Sequence, residues 1–431
     1  MASDILTFRL ENGLQVQLKE IHSAPLISSW VWYRVGSRNE HPGITGVSHW
    51  VEHMQFKGTP IHPQGEMDRV VSREGGTWNA FTYLDWTTFF ETMPADKVEI
   101  ALNLEADRMV NSLYDLQEVA SERTVIISER EGNENEPLFR LSEAMQRAAF
   151  TSHPYQHEVI GEMADLRSMQ RDDLFNYYRQ HYNPANAVLA IAGDFESEAM
   201  LQLARNTFGH LPAGMRATPV IADEPLPAAE QRVDVSGPGE TTFIQVAYRA
   251  PRANHPDFFP LSVLDSLLTG PSGLNMFGGG GISNKTSRLY QRLVEKQLAV
   301  GVHGGLSATI DPYLYDATIT AAPGRPVEEI LKAFDEEIDH LCQDAVTTTV
   351  IERAIKQARA LFVYGAENIT NQGFWLGYAE MFASYEWFET YLQRLAEVTP
   401  ADVLRVAREY LSSEKRVVGV YHPTGEGASH E

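Results

Sequence analysis

The run Ser48-His49-Trp50-Val51-Glu52-His53-Met54 places an H-x-x-E-H pattern among the apolar residues Val47, Trp50, Val51, Met54 and Phe56. At about 100° per residue, positions i and i+4 lie about 40° apart on a helix. Both imidazoles can then reach one ion, with the carboxylate at i+3 beside them. The apolar pattern predicts such a helix over 45–56. Two readings fit these residues. One is a partly buried helix whose histidines bond to backbone carbonyls, with Glu52 as a solvated neighbour. The other is a hydrolase centre, in which two neutral histidines and a distant carboxylate hold zinc and leave a fourth position for water. The unligated Glu52 then takes that water's proton. The apolar neighbours favour the second reading, because burying three titratable groups without a role is costly.

Working outward, alternating apolar and β-branched residues at 14–19 and 28–35 predict strands, and the same order recurs later. Residues 242–249 read as a second such strand. His255-Pro256 then opens an apolar helix at 259–268, as His41-Pro42 precedes the first helix. The tails correspond too: a helical stretch at 173–179 before a strand at 187–192 matches 402–408 before 416–421. A repeat near 200 residues is too long for a solenoid, so a duplicated domain is expected. Its copies would span 1–210 and 230–431, joined by a linker at 211–229 that holds Pro212, Pro219, Pro225 and Pro227. Paired helices between strands of alternating polarity predict an α+β fold. It would comprise two homologous sandwich domains, each a mostly antiparallel sheet with helices on one face. In register by their His-Pro openings, Val263, Ser266 and Leu267 stand opposite His49, Glu52 and His53, so the second copy lacks the centre.

Composition narrows the classes. The chain has 431 residues, 43% of them apolar and 22% charged, as in folded proteins, and no apolar run of about 18 residues that could span a bilayer. No membrane partner is expected. The first residues show neither a basic n-region nor an apolar h-region, so a cytoplasmic location is expected, although a chain already trimmed of a leader would read the same way. Cys342 stands alone and can form neither an intrachain disulfide nor a cysteine metal site. The 35 basic residues against 58 acidic ones give a charge of −23, which disfavours nucleic acid as a partner. That charge serves either as a solubilising surface or as an acidic cavity that attracts basic peptides or cations.

A third ligand must come from another element. Residues 118–129 read as a helix in which Glu122 and Glu129, seven apart, share nearly one stripe. One can ligate and the other support, although a helical Glu is ordinarily solvent-exposed. Here the pattern resembles a known family. His49–His53 continues as Met54-Gln55-Phe56-Lys57-Gly58-Thr59, and the segment Gly75-Gly76-Thr77-Trp78-Asn79-Ala80-Phe81-Thr82 and the Glu122/Glu129 pair follow. Together they are similar to the pitrilysin family, the inverted zincins that include insulysin and the mitochondrial processing peptidase. The resemblance runs on through His153-Pro154-Tyr155, Tyr182-Asn183-Pro184-Ala185-Asn186-Ala187 and Gly193-Asp194 into the second half. It matches the short two-domain subfamily, and so implies a clam-shell half-chamber.

The resemblance implies one zinc ion per chain, held by His49, His53 and Glu129, with Glu52 as general base and Glu122 as a supporting or electrostatic partner. It implies that residues 78–82 are an edge strand offering backbone groups to an extended peptide, with Asn79, Ala80 and Phe81 at the substrate. The plainer reading of that segment is an ordinary edge strand whose Asn caps a turn.

One departure stands out. Complete members carry L-R-x-x-x-x-L-x-Y, whose Arg and Tyr stabilise the substrate carbonyl in the transition state. In Ser287-Arg288-Leu289-Tyr290-Gln291-Arg292-Leu293-Val294-Glu295-Lys296-Gln297-Leu298-Ala299-Val300, the corresponding positions are Val294 and Val300, with one residue fewer between them. A valine donates no hydrogen bond, and losing one such donor costs about 2.7–4 kcal/mol. Two-subunit members divide the parts, so a heterodimer with a homologous subunit supplying Arg and Tyr is expected, acting on peptides. A homodimer, a catalytically weak binding or assembly subunit, and a processing peptidase for one precursor are the alternatives.

The glycine-rich stretch 270–281 lacks a following G-K-[ST] and is no phosphate cradle; it resembles the family's loop that guides peptides. His303, Asp311, Tyr313 and Tyr315 are minor candidates for substrate contact. Phe374, Tyr378, Phe382, Tyr385 and Phe388 fall at helical spacing and read as core.

Overall fold

The β-branched and aromatic runs become two sheets in a computed structural model that describes residues 5–216, 218, 224–274 and 283–425. The first sheet is built from β1 (Ile5–Arg9), β2 (Gln15–Glu20), β3 (Leu26–Tyr33), β4 (Thr77–Thr82), β5 (Thr87–Pro94) and β6 (Ala187–Gly193). Its order is β1-β2-β6-β3-β5-β4. The second uses β7 (Gln231–Gly237), β8 (Phe243–Ala250), β9 (Ala299–Leu306), β10 (Tyr313–Ala321) and β11 (Arg416–Pro423), in the order β7-β11-β8-β10-β9. Apart from β1 the two orders are the same, strand for strand. Each has one parallel pair, β2 with β6 and β7 with β11, in an otherwise antiparallel ladder. The repeat in the sequence is thus a repeat of topology, and the fold is a two-domain α+β fold.

Among the described residues, the helices that position the site or cover the sheets include α1 (Val47–Met54), α2 (Val98–Asn111), α3 (Leu116–Glu134), α4 (Pro137–Ala149), α5 (Phe258–Leu268) and α6 (Ile369–Phe382). The compact units are discontinuous in sequence, unlike the contiguous domains expected at 1–210 and 230–431. One comprises residues up to 130, 157–222 and 366–385, and the other 131–156, 223–365 and 386 onward. Helix α6, from the second half of the chain, therefore belongs with the first sheet, and α4 with the second.

Small residues make room for this exchange. A Cβ added at Gly377 of α6 would lie 2.0 Å from Trp32 Nε1, and one at Gly373 would lie 2.6 Å from Trp30 Cδ1. On the second sheet, a Cβ at Gly419 would lie 2.5 Å from Met145 Sδ of α4. Trp30 and Trp32 are fully buried, and Trp30 stacks on Phe90 with centroids 4.1 Å apart. Each buried indole contributes on the order of 4–6 kcal/mol of gross apolar burial. Helix α2 meets the sheet through Arg108, on the face of Glu91 and Phe89, whereas α6 meets Trp30 and Trp32, which strand alternation turns to the opposite face. This sheet is therefore helix-covered on both faces and not on one as expected.

Phe374, Tyr378, Phe382 and Tyr385 are buried, as the stripe reading expects, and Phe388 is half-buried. Residues 217 and 219–223 of the linker and the glycines 278–281 lie outside the described residues. Among the described residues, no helix is long and apolar enough to cross a membrane.

Candidate active site

The helix carrying the histidines is fixed at its start. Gly46, with φ of +86°, sits where an added Cβ would meet the Ile160 carbonyl oxygen at 2.4 Å, so only glycine fits this entry turn. The buried Glu40 carboxylate accepts from the N–H groups of Gly46 (2.7 Å) and Ser48 (2.8 Å), placing negative charge at the helix N-terminus. Asp165 accepts from the N–H groups of Gly43 and Thr45, both at 3.0 Å, and from the Thr45 hydroxyl at 2.7 Å.

From α1, the His49 and His53 rings project side by side, with centroids 4.6 Å apart. Glu129 reaches them from α3: its Oε1 lies 3.8 Å from His49 Nε2 and its Oε2 lies 3.8 Å from His53 Nε2. The donor atoms of all three lie within 4.8 Å of one another, and no other such group occurs among the described residues. Zinc bonds of 2.0–2.2 Å in a tetrahedral arrangement set neighbouring donors roughly 3.4 Å apart, so a small inward adjustment lets the three share one ion. Protonation agrees. Burial, helped by the charge of His53, pushes His49 down to about 3, so its ring is neutral and able to ligate.

A supporting chain fixes His53. Its Nδ1 pairs with Glu122 Oε1 at 2.8 Å, which turns the Nε2 lone pair toward Glu129. Lys57 Nζ holds the other Glu122 oxygen at 2.5 Å. Burial opposes ionisation of both His53 and Glu122. Their mutual bond overcomes it, raising the imidazole and, together with Lys57, lowering the carboxylate.

Glu52 points elsewhere. Its Oε2 accepts from Thr82 Oγ1 at 2.5 Å, and burial raises its carboxyl to about 7 against the pull of Thr82 and His53. Thr82 ends β4, which is an edge strand paired only with β5. The Tyr83 N–H donates to the Trp86 carbonyl at 2.9 Å. By the alternation of an antiparallel ladder, Asn79 and Phe81 therefore turn their backbone groups to β5, and Trp78, Ala80 and Thr82 turn theirs to the free edge. The outward Ala80 N–H is capped by the Asn79 side-chain oxygen at 2.9 Å, and the Phe81 ring stacks parallel to Phe90. The Asn79 side chain and the Ala80 N–H thus stand together at the free edge, whereas the main chains of Asn79 and Phe81 face β5.

Three contributors escaped sequence reading. Lys57 lies at i+4 from His53, a detectable helical signal, and Thr82 was visible only as the end of a strand. The Glu40 cap acts across a loop and leaves no local pattern.

Helix α5 presents nothing comparable: Val263 and Leu267 are buried, and the Ser266 hydroxyl donates to the Ala354 carbonyl at 3.0 Å. Val300 is exposed on β9, an edge of the second sheet, and Val294 ends a π-helical turn over Tyr290–Val294. Of the minor candidates, Asp311 pairs with His153 at 3.0 Å, the Tyr313 hydroxyl accepts from Gln146 at 3.1 Å, Tyr315 is buried and His303 is exposed.

Residues 15–162 match the family described as Insulinase (Peptidase family M16), and residues 168–358 match the Peptidase M16 inactive domain. An uncharacterized zinc protease of Mycobacterium leprae is 27% identical, over 96% of this chain and 91% of that protein. The zinc protease PqqE of Helicobacter pylori is 27% identical over 93% of this chain and 89% of its own. A crystal structure of a protease from Helicobacter pylori superposes with a TM-score of 0.90 at 25% identity, over 97% of this chain and 99% of that one. The insulinase and inactive-domain matches succeed one another along the chain, and the chain is a two-domain member of the insulinase family, peptidase family M16.

Proposed function

We propose that this chain is the zinc-bearing subunit of an endopeptidase that hydrolyses unfolded peptides. One observation carries the reading: α1 carries two of the three clustered donors and, between them, the buried Glu52, whose carboxylate meets Thr82 at the end of a free sheet edge. Zinc held by His49, His53 and Glu129 would supply Lewis-acid polarisation of a water molecule and of the scissile carbonyl. The rest falls to the chain. A peptide added alongside β4 pairs with the outward backbone groups of Trp78, Ala80 and Thr82, displacing Asn79 from the Ala80 N–H. Such pairing reads main chain and leaves sequence preference broad. Glu52, with its carboxyl near neutrality, accepts the water proton at Oε1 while Thr82 occupies Oε2, and then returns the proton to the leaving amide nitrogen.

Val294 and Val300 cannot donate to the developing oxyanion, so a homologous subunit bearing Arg and Tyr completes the site in a heterodimer. The same two valines favour a second reading, a binding or assembly subunit of little or no turnover.

Hydrolysis of a quenched fluorescent peptide library by the zinc-loaded chain, alone and mixed with such a homologue, separates the two. Cleavage that needs the partner and is lost in Glu52→Gln supports the peptidase. Bound zinc without cleavage in either mixture supports the binding subunit, and equal rates with and without the partner refute the division of parts.

A further inference from the structure

Thr82 belongs to two systems at once. Its backbone N–H and C=O face the free edge of β4, while its hydroxyl donates to Glu52 Oε2 at 2.5 Å. The hydroxyl has one proton to give. Thr87 Oγ1 lies 3.4 Å away and spends its own proton on the Val35 carbonyl at 2.9 Å, so the short bond to the carboxylate takes the Thr82 proton. Among the described residues, no other group hydrogen-bonds the Glu52 side chain, which has three rotatable bonds and is 8% exposed. Thr82 is stiff at χ1, so its hydroxyl direction is set by the strand backbone. The next residue is anchored, with the Tyr83 N–H on the Trp86 carbonyl at 2.9 Å and the Ser37 N–H on the Tyr83 carbonyl at 3.2 Å, which leaves the outward groups of Thr82 as the part of the strand end for a peptide to hold.

We propose that Thr82 is a positioning residue that transmits peptide pairing on β4 to the orientation of Glu52, a role that rests on the chain being a peptidase. A peptide long enough to engage the outward groups of Thr82 holds the strand end, the strand end aims the hydroxyl, and the hydroxyl holds the base. Shorter peptides bind and are cut slowly because the base is left less well aimed. An error of about 1 Å in such an arrangement can cost about a hundredfold in rate.

The test uses the active form of the enzyme and a series of peptides of increasing length. In the wild type, kcat rises as the peptide extends along β4. Thr82→Val keeps the shape and removes the hydroxyl. Its kcat on long peptides falls about tenfold or more, KM and direct peptide affinity stay within about twofold, and the rise of kcat with length disappears. Thr82→Ser restores both the rate and the length dependence. Zinc content and melting temperature, measured on all three, stay at wild-type values. A Thr82→Val enzyme that keeps its kcat and length dependence, or a Thr82→Ser enzyme that regains neither, overturns the positioning role and leaves the peptidase intact. A wild type that binds zinc and cleaves no peptide of any length overturns the peptidase reading, and the positioning role with it.

Discussion

Glu52 is held in a state that suits proton transfer and costs the fold. Its carboxyl is raised by burial from an ordinary 4.5 to about 7, so ionising it in the folded, metal-free chain is unfavourable. The unfolded chain ionises first as pH rises, so the contribution of Glu52 to stability is full below about 4.5 and is lost as pH climbs through 7. Metal-free Glu52→Gln carries no such charge. Its stability relative to wild type is expected to be unchanged near pH 4 and to rise to at most on the order of 3 kcal/mol by pH 8, measured by urea unfolding. An unchanged difference across that range would mean that the carboxyl is not raised.

The chain Lys57–Glu122–His53 makes a separate expectation at this scale. Lys57→Met should weaken zinc binding by about 10- to 100-fold in a chelator competition, because Glu122 loses its countercharge while orienting His53. His49, Glu52 and His53 were legible because their relation is one helical turn. Glu129 was legible only through resemblance, since the partnership of α1 with α3 is tertiary and leaves no spacing rule between them.

Periodicity predicted the individual elements because it encodes which face is buried. The helix expected at 45–56 is Val47–Met54, and the strand expected at 242–249 is Phe243–Ala250. The edge position of β4 was foreseen by resemblance, but which of its residues face outward is set only by the ladder register. That register gives a prediction. Ala80→Pro removes an outward N–H without breaking a bond to β5, a place where a sheet tolerates proline. The fold should persist, with KM for peptides raised about three- to tenfold, the worth of one hydrogen bond. An unchanged KM would show that peptides do not pair with this edge.

The whole molecule is two topological copies that exchange a helix each, which contiguous sequence halves conceal. Nothing local in residues 366–385 says which sheet they serve; the requirement appears only where Gly373 and Gly377 meet Trp30 and Trp32. A fragment ending at residue 222 therefore lacks α6 and exposes the face bearing both indoles. It is expected to show weak near-ultraviolet circular dichroism and no cooperative unfolding, and to recover both when residues 366–385 are supplied. Cooperative unfolding of the fragment alone would mean that α6 is dispensable. Within the intact chain, Gly377→Ala should destabilise by about 1–3 kcal/mol through overpacking against Trp32, read from the denaturant midpoint.

The most direct test of the proposed zinc peptidase is one side-by-side measurement on wild type, Glu52→Gln and Glu129→Gln: bound zinc and peptide hydrolysis, each with an Arg/Tyr-bearing homologue present. Expected are one zinc per chain in wild type and Glu52→Gln, greatly weakened zinc in Glu129→Gln, and cleavage in the wild type alone. Undiminished cleavage by zinc-loaded Glu52→Gln, or full zinc affinity in Glu129→Gln, would contradict the roles assigned to these residues.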